Sequence, residues 1–390
     1  MKIKRMITTG LLLVLVTATT ARASEKEDWD ITWKKGVSFT RADGDRGIKI
    51  GGRIQHDLAG IANEGFSTEF RRIRITLSGF FAKDVIFKTQ YDFASTGDPL
   101  KDDTPAFKDA YIGAKNVPFF GTIKLGHVKE PLSLEMMQSS NGLTFMERGL
   151  SYAFVSDRNT GIRAENTAFD KNITWQAGVF VPTGDKGFSP TGDDEYHLTA
   201  RVTGTPLYSN DGGRMIHLGL GVTQQFGDNV EDRITERPES HLAPKTLDTG
   251  TFQRDNRFTF GAEAAWVHDS FALQSEYMGT TFDNAYLHGG YAEASYYLTG
   301  EHRNYIRKKG KFTNRVDPNN ENTGAWQIAS RVSFADLQSD DIAGGKEFNV
   351  TTGVNWYYRK NIKVSMNYVW GTVDPGDQVN IVQARTQILF

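Results

Sequence analysis

The sequence predicts an all-β protein, a transmembrane antiparallel β-barrel of about 16 strands. Three observations predict this fold: apolar and polar residues alternate over stretches of roughly ten residues, about sixteen such stretches follow one another, and no run of about 20 apolar residues occurs after the N-terminus. A helical membrane bundle is therefore excluded. With 12% aromatic residues, 39 Gly and only 11 Pro, collagen-like and disordered chains are excluded as well.

Residues 1–23 have the form of a secretory signal peptide. Three basic residues among the first five precede an apolar run at 11–16, and Ala-Arg-Ala at 21–23 matches an A-x-A cleavage signal. The alternative, a single membrane anchor, is disfavoured because this run is too short to span a bilayer comfortably. Cleavage after Ala23 would remove four of the 45 basic residues and none of the 47 acidic ones, so the formal net charge becomes −6. We therefore expect no nucleic-acid partner.

The first strand shows the two faces that recur along the chain. One face is apolar and the other polar: Ile48, Ile50, Ile54 and Leu58 against Lys49, Arg53, Gln55 and Asp57. The predicted strands are 47–62, 70–81, 84–94, 106–116, 120–129, 157–166, 172–182, 195–205, 214–226, 256–268, 270–280, 288–299, 325–336, 346–359, 361–371 and 378–390.

The connections between these strands largely alternate between short and long, as periplasmic turns and extracellular loops do. If the N-terminus lies in the periplasm, the short connections all fall on the periplasmic side, and residues 300–324 are a long exception there. The predicted organisation is a signal peptide at 1–23, a periplasmic segment at 24–46 and an outer-membrane barrel at 47–390.

A soluble β-sandwich would also show alternation, so strand length and the chain end matter. Predicted strands near 10–13 residues suit a tilted membrane span, whereas sandwich strands cluster near about five or six. Phe390 ends an alternating strand, which is typical of the outer-membrane assembly signal. We therefore predict localisation in the outer membrane of a Gram-negative bacterium.

Enzyme chemistry is not indicated by any motif. The eight His are dispersed, there is no Cys, and HExxH, GxSxG and EF-hand patterns do not occur. The sequence predicts no enzyme, no cofactor and no metal. A barrel hydrolase, assembled from residues on separate strands, is the alternative that activity on phospholipid would reveal.

Several spaced motifs resemble the phosphate-selective porin O and P family. They are Gly51 to Gln55, Phe70 to Arg72, Lys88 to Phe93, Lys108 to Tyr111, Gly126 to Glu135, Ser139-Ser140, Glu147-Arg148 and Gly300 to Arg315. The resemblance implies a sixteen-stranded outer-membrane porin, usually a homotrimer, whose third loop folds inward to narrow an anion-conducting pore. The implied partners are phosphate or other small anions, together with outer-membrane lipid and lipopolysaccharide.

Positive charge at a constriction attracts anions and repels cations. The polar faces carry six basic residues: Arg53, Arg72, Arg74, Lys88, Lys124 and Arg163. By alternation, Arg71 falls on the apolar face of its strand, but it lies at a predicted strand end where it could turn into the pore mouth. The alternative is that these cations merely solvate a wide channel and pair with Asp57, Asp92, Asp109 and Glu165.

The resemblance places the central anion site on seven residues: Arg53, Arg71, Arg72, Lys88, Asp109, Ser139 and Ser140. Asp109 would hold lysine orientations and accept a proton from a protonated phosphate. Phosphate-selective members carry a loop lysine at the position aligned with Met136, and its absence here implies a weaker phosphate preference. A general or sugar-type diffusion porin without phosphate selectivity is the alternative, for which aromatic lumen tracks would dominate.

A second basic group is predicted on the periplasmic side. It comprises Lys34, Lys35, Lys49, Arg307, Lys308, Lys309, Lys311 and Arg315. Such a run is usually a solvated loop. Its predicted position instead suggests an exit that draws anions through the pore.

Overall fold

The computed structural model describes residues 29–33, 36–94, 106–184, 187, 189, 194–313, 316–339 and 341–390. The predicted signal peptide, Lys34, Lys35 and Arg315 lie outside these described residues. No helix in the described ranges has the length and apolar character needed to span a membrane.

Strands make up most of the described chain. They are β1 (Trp29–Trp33), β2 (Val37–Arg41), β3 (Gly47–Ile61), β4 (Gly65–Phe81), β5 (Val85–Asp92), β6 (Ala106–Val117), β7 (Gly121–Lys129), β8 (Arg158–Ala168), β9 (Ile173–Val181), β10 (Tyr196–Ser209), β11 (Arg214–Phe226), β12 (Val230–Asp232), β13 (Thr235–Glu236), β14 (Leu247–Asp248), β15 (Phe252–Arg254), β16 (Arg257–His268), β17 (Phe271–Phe282), β18 (Ala285–Tyr297), β19 (Tyr305–Ile306), β20 (Lys311–Phe312), β21 (Ala325–Ser339), β22 (Ile342–Arg359), β23 (Ile362–Asp374) and β24 (Asp377–Leu389). One short helix, α1 (Leu134–Met137), and 3-10 turns at Leu150–Phe154, Asn210–Gly212 and Arg307–Lys309 complete the regular structure of the described residues.

Sixteen of these strands form a closed antiparallel barrel. They are β3–β11, β16–β18 and β21–β24, each paired with the next, and β24 pairs with β3 to close the ring. All sixteen predicted strands are confirmed. The largest boundary error is at β4, which begins at Gly65 rather than 70, because a tight turn at 62–64 lets residues 65–69 pair with the end of β3.

The ring closes where the chain ends. The Gly52 amide donates to the Phe390 carbonyl at 2.7 Å, and the Phe390 amide donates back at 3.1 Å. A Cβ added to Gly52 would lie 2.6 Å from the Phe390 ring, so only glycine admits this close approach. Next to this junction, β2 pairs with the first residues of β3, and β1 pairs with β2.

The outer face of the barrel is apolar and the inner face is polar, the reverse of a soluble protein. Along β3, Ile54 and Leu58 are each 37% exposed, whereas Arg53 and Asp57 are 5% and 3% exposed. A closed sheet satisfies its backbone hydrogen bonds internally, so this apolar surface can face lipid.

Three connections fold into the lumen, and the described part of the chain has its hydrophobic core there. The third loop (130–157) and the 227–256 loop enter from the end opposite the termini, and the 298–324 loop enters from the terminal end. Leu150 and Phe154 of the third loop pack with Ile234 and Leu247 of the 227–256 loop against β17, β18, β21 and β22. The inserts therefore fill the half of the lumen beside β11 and β16–β24.

The predicted inward third loop is confirmed. In the described part of the basic run near 300–315, Lys308 and Lys309 are exposed, as in a solvated loop, whereas Gly310 and Lys311 are held by Arg201 and Met137. Arg201 Nη2 donates to the Gly310 carbonyl at 2.7 Å, and Lys311 Nζ donates to the Met137 carbonyl at 2.7 Å.

Candidate functional site

An open cavity of about 780 Å³ remains between the inserts and the wall formed by β3–β9. Among the residues that the structure describes, fifteen Lys or Arg line it, against seven Asp or Glu. Its aromatic lining is sparse: Tyr111, Tyr152 and Phe390. The cavity therefore has an excess of positive charge although the whole chain has a formal net charge of −2.

The predicted site residues converge on this cavity. Its lining includes Arg53, Arg71, Arg72, Arg74, Lys88, Asp109, Lys124, Ser139, Ser140 and Arg163, and also Lys49, Lys309 and Lys311 of the predicted periplasmic group. The other described members of that group lie elsewhere. Lys308 is exposed, and Arg307 stacks on Tyr208 and donates to the Asp170 carbonyl at 2.8 Å.

Arg53 lies at the junction of the barrel wall and the third loop. Its Nη1 donates to Ser140 Oγ at 2.9 Å and to the Asn141 side-chain oxygen. Its side chain is buried, and among the described residues its Nε has no hydrogen-bond partner and no carboxylate forms an ion pair with it. A buried guanidinium with neutral partners and a free donor is suited to receive an anion.

Arg71 and Arg72 reach the cavity together because of a β-bulge. Gln55 pairs with Arg72 and His56 with Phe70, so Arg71 is an extra residue in β4. The sequence-based explanation that Arg71 lies at a strand end is wrong, since β4 begins six residues earlier, at Gly65. Bulges commonly redirect a side chain in this way.

These two arginines meet a carboxylate of the third loop. Arg71 Nε lies 3.0 Å from Glu147 Oε1, and Arg72 Nη2 lies 3.5 Å from Glu147 Oε2. Burial alone would raise the pKa of the Glu147 carboxyl, but Arg71, Arg72 and Arg385 hold that pKa well below its usual range. Glu147 therefore remains ionised at neutral pH.

The four acids named as alternative partners do pair with cations. Arg74 Nε lies 2.5 Å from Asp92 Oδ2, Arg385 binds both oxygens of Asp57, and Glu165 contacts Lys124 at 2.5 Å and Arg163 at 2.8 Å. Pairing and an excess of positive charge coexist because cations outnumber acids along this wall.

Asp109 has the geometry expected of a group that orients cations. It contacts Lys88 Nζ on one oxygen and accepts from Arg158 Nε at 2.8 Å on the other. Arg158 also contacts Asp157 at 2.9 Å. Asp109 thus fixes one lysine and one arginine beside the cavity.

Met136 does not face the cavity, so the expectation drawn from the missing loop lysine lacks a geometric basis. The side chain of Met136 is fully buried within α1, whereas Met137, Ser139 and Ser140 line the cavity. Two lysines from other elements reach this segment instead. Lys129 Nζ donates to the carbonyls of Met136 and Gln138, and Lys311 Nζ donates to that of Met137.

Lys311 belongs to the 298–324 loop, outside the barrel strands. Burial, followed by the nearby charges of Lys309 and Arg163, lowers its pKa to about 7. Its charge, and with it the local field at the cavity, is therefore sensitive to pH near neutrality.

Acids on the opposite wall hold the inserts in place. Glu276 of β17 accepts from the backbone amides of Leu134 and Glu135 at 3.1 and 2.6 Å. Glu293 of β18 accepts from Thr144 at 2.9 Å and Arg303 at 3.0 Å. Glu263 of β16 acts indirectly: it binds Arg201 of β10 at 2.6 Å, and Arg201 donates to the Gly310 carbonyl of the 298–324 loop. The acidic wall positions the loops, and the basic wall lines the channel.

Sequence reasoning missed five basic lining residues: Lys108, Lys129, Arg148, Arg158 and Arg237. Lys108, Lys129 and Arg148 occur within the motifs that resemble the family, so those motifs could have pointed to them. Arg158 and Arg237 had no such signal: Arg158 is the first residue of β8, and Arg237 belongs to the 227–256 loop, whose packing brings it to the cavity. No cluster of three or more potential metal ligands occurs among the residues that the structure describes.

The family model described as "Phosphate-selective porin O and P" matches residues 48–390. The chain belongs to this family. Porin O of Pseudomonas aeruginosa is 27% identical over 399 residues, covering 88% of this chain and 87% of that protein.

Solved outer-membrane porins share the fold. An anion-selective porin from Comamonas acidovorans superposes with a TM-score of 0.55 at 14% identity, over 88% of this chain and 100% of that one. OmpT of Vibrio cholerae, in a structure described as its trimer form, superposes with a TM-score of 0.54 at 12% identity, over 88% of this chain and 99% of that one.

Family membership and the basic lumen together identify an outer-membrane, anion-selective channel of a Gram-negative bacterium. The predictions of family, barrel fold, localisation and channel function are confirmed. The family is one of channels rather than enzymes, which supports the corresponding prediction.

Proposed function

We propose that this porin binds phosphate or a related oxyanion at the constriction while the anion passes through. Arg53 carries this proposal, because its buried guanidinium contacts neutral Ser140 and Asn141 and keeps Nε without a partner. Arg72 also has a buried Nε for which the described part of the chain supplies no partner. An oxyanion offers several acceptors, and arginine can bond two of them at once.

The neighbouring groups have complementary proposed roles. Arg71 and Arg72 extend the arginine site, Lys88 and Arg158 are held in place by Asp109, and Ser139 and Ser140 supply hydroxyls from the third loop. Lys49, Lys124, Arg163, Lys309 and Lys311 continue the positive lining outside the arginine site. A sugar-type pore is less well supported, because the described part of the lining has three aromatic residues against fifteen basic ones.

The experiment is a block titration in planar bilayers. Inorganic phosphate added to a chloride solution should reduce the single-channel chloride current in a saturable manner. A neutral sugar at the same osmolarity serves as the control and should leave the chloride current unchanged apart from viscosity. Equal reduction by sugar and phosphate would contradict the oxyanion site.

The proposed assembly is a homotrimer that contacts outer-membrane lipid and lipopolysaccharide. The apolar outer face of the barrel supports the lipid contact, and a similar fold has been solved in a form described as a trimer. Cross-linking in detergent extracts tests the trimer. A monomer at every cross-linker concentration would contradict it.

The proposed chain organisation keeps a signal peptide at 1–23 and a periplasmic segment at 24–46, followed by the barrel at 47–390. The pairing of β1 and β2 at the terminal end of β3 supports the periplasmic placement of that segment. Sequencing the N-terminus of the purified protein tests the cleavage site after Ala23.

A further inference from the structure

Glu147 of the third loop forms ion pairs with several arginines at this constriction. Arg71 reaches it from Nε at 3.0 Å and from Nη2 at 3.3 Å, and Arg72 reaches it at 3.5 Å. Arg385 adds a contact of 2.6 Å from the barrel wall. Three guanidiniums therefore surround one carboxylate that lines the cavity.

The other ion pairs along the basic wall differ from this arrangement. Asp92 contacts one arginine, Arg74, while Asp109 and Glu165 lie between their two cations as spacers. Arg385 would still be paired without Glu147, because both oxygens of Asp57 bind it at 2.6 Å. Arg71 and Arg72 would lose the acid that neutralises them.

We propose that Glu147 is an internal competitor for the anion site: its carboxylate takes the Arg71 and Arg72 bonds that a permeating oxyanion would otherwise receive. This inference rests on the proposed oxyanion site and names a residue that sets its affinity. An arriving anion exchanges with a carboxylate of similar chemistry, so the arginines are never left without an acceptor. When the anion leaves, Glu147 binds the arginines again.

Competition of this kind is what a conducting site requires. A channel site must bind strongly enough to admit an ion and weakly enough to release it. Arg53, Arg71 and Arg72 all line one cavity, and without Glu147 they would form a site of high affinity and slow release. The carboxylate also reduces the mutual repulsion of these arginines while the site is empty.

The test compares phosphate block of the chloride current in purified Glu147→Gln, Glu147→Asp and wild-type channels. Glu147→Gln removes the charge with little change in shape, so the half-blocking phosphate concentration should fall by about tenfold, one charge-assisted contact being the difference. Glu147→Asp keeps the charge but withdraws it from the arginines, and its half-blocking concentration should fall by less.

Glu195→Gln is the matched control. Glu195 pairs with Arg254 at 2.6 Å, its side chain is 13% exposed against 14% for Glu147, and it does not line the cavity. The half-blocking phosphate concentration of this variant should equal that of the wild type. Heat-resistant migration in detergent gels verifies that each barrel is folded, and Glu147→Asp decides the question if Glu147→Gln does not assemble.

The direction in which the half-blocking phosphate concentration changes distinguishes the outcomes. If Glu147 only anchors the third loop, its replacement loosens the constriction, and the phosphate block weakens or stays the same. That result would overturn the competitor role while leaving the oxyanion site in place. A wild-type channel that phosphate does not block would instead contradict the proposed function itself.

Discussion

Arg53 of β3 donates a hydrogen bond to Ser140 Oγ of the third loop at 2.9 Å, across 87 residues of sequence. This contact joins the basic wall of the barrel to the loop that narrows it. The geometry of the constriction therefore depends on how the loop docks as well as on which cations the strands carry.

Replacing Arg53 should weaken phosphate block while the barrel still folds. A charge-assisted hydrogen bond contributes roughly 1.5–3 kcal/mol, so Arg53→Gln should raise the half-blocking phosphate concentration about tenfold or more. Arg53→Lys keeps the positive charge but lacks the planar fork of guanidinium donors. Its half-blocking phosphate concentration should therefore lie between those of the wild type and Arg53→Gln. Arg307→Gln, at an arginine that stacks on Tyr208, is the control. An unchanged block in Arg53→Gln would remove this residue from the site.

The channel should become less anion-selective as pH rises through neutrality. The pKa of Lys311 is lowered to about 7, so raising the pH from about 6 to about 8 removes its positive charge from the cavity wall. Lys311→Arg stays charged over this range and should reduce the pH dependence of the reversal potential. Burial raises the pKa of Glu236 to about 8, so its ionisation acts in the same direction and should leave a residual dependence. Identical pH profiles in wild type and Lys311→Arg would contradict the role of Lys311.

Introducing a lysine at position 136 should impair the protein rather than improve phosphate binding. Met136 is fully buried, so Met136→Lys places an ammonium group in the protein interior, at a cost of several kcal/mol. The temperature at which the folded band disappears from detergent gels should fall, and Met136→Leu should change it little. A folded Met136→Lys channel with tighter phosphate block would show that the side chain reaches the cavity.

Gly221 of β11 should control the docking of the third loop. A Cβ added there would lie 1.9 Å from the Leu132 carbonyl oxygen, so Gly221→Ala must displace the loop backbone. Single-channel conductance should rise and anion selectivity should fall. Gly60→Ala is the matched control, because no atom lies within 4 Å of its added Cβ. Unchanged conductance in Gly221→Ala would mean that the loop accommodates the methyl group.

The barrel was predictable because a membrane strand must alternate along its whole length. Ile54 and Arg53 point to opposite faces whichever loops follow, so local pattern alone located all sixteen strands. The polar faces likewise predicted most of the wall cations that line the cavity.

The loops and the bulge were not predictable from local pattern. Leu134 and Glu135 are positioned by Glu276, more than 140 residues away, and no alternation records that contact. The same packing buries Met136, the position that the resemblance aligned with the family's loop lysine. Arg71 reached the cavity through a register shift at Gln55 and His56 that parity counting does not detect.

The most direct test of the account is the reversal potential of the purified wild-type channel in a planar bilayer under a potassium chloride gradient. The excess of basic residues in the cavity predicts a sign that shows chloride to be the more permeant ion, in spite of the net negative charge of the chain. A reversal potential of the opposite sign, showing potassium to be preferred, would contradict the central claim that the β3–β9 wall selects anions.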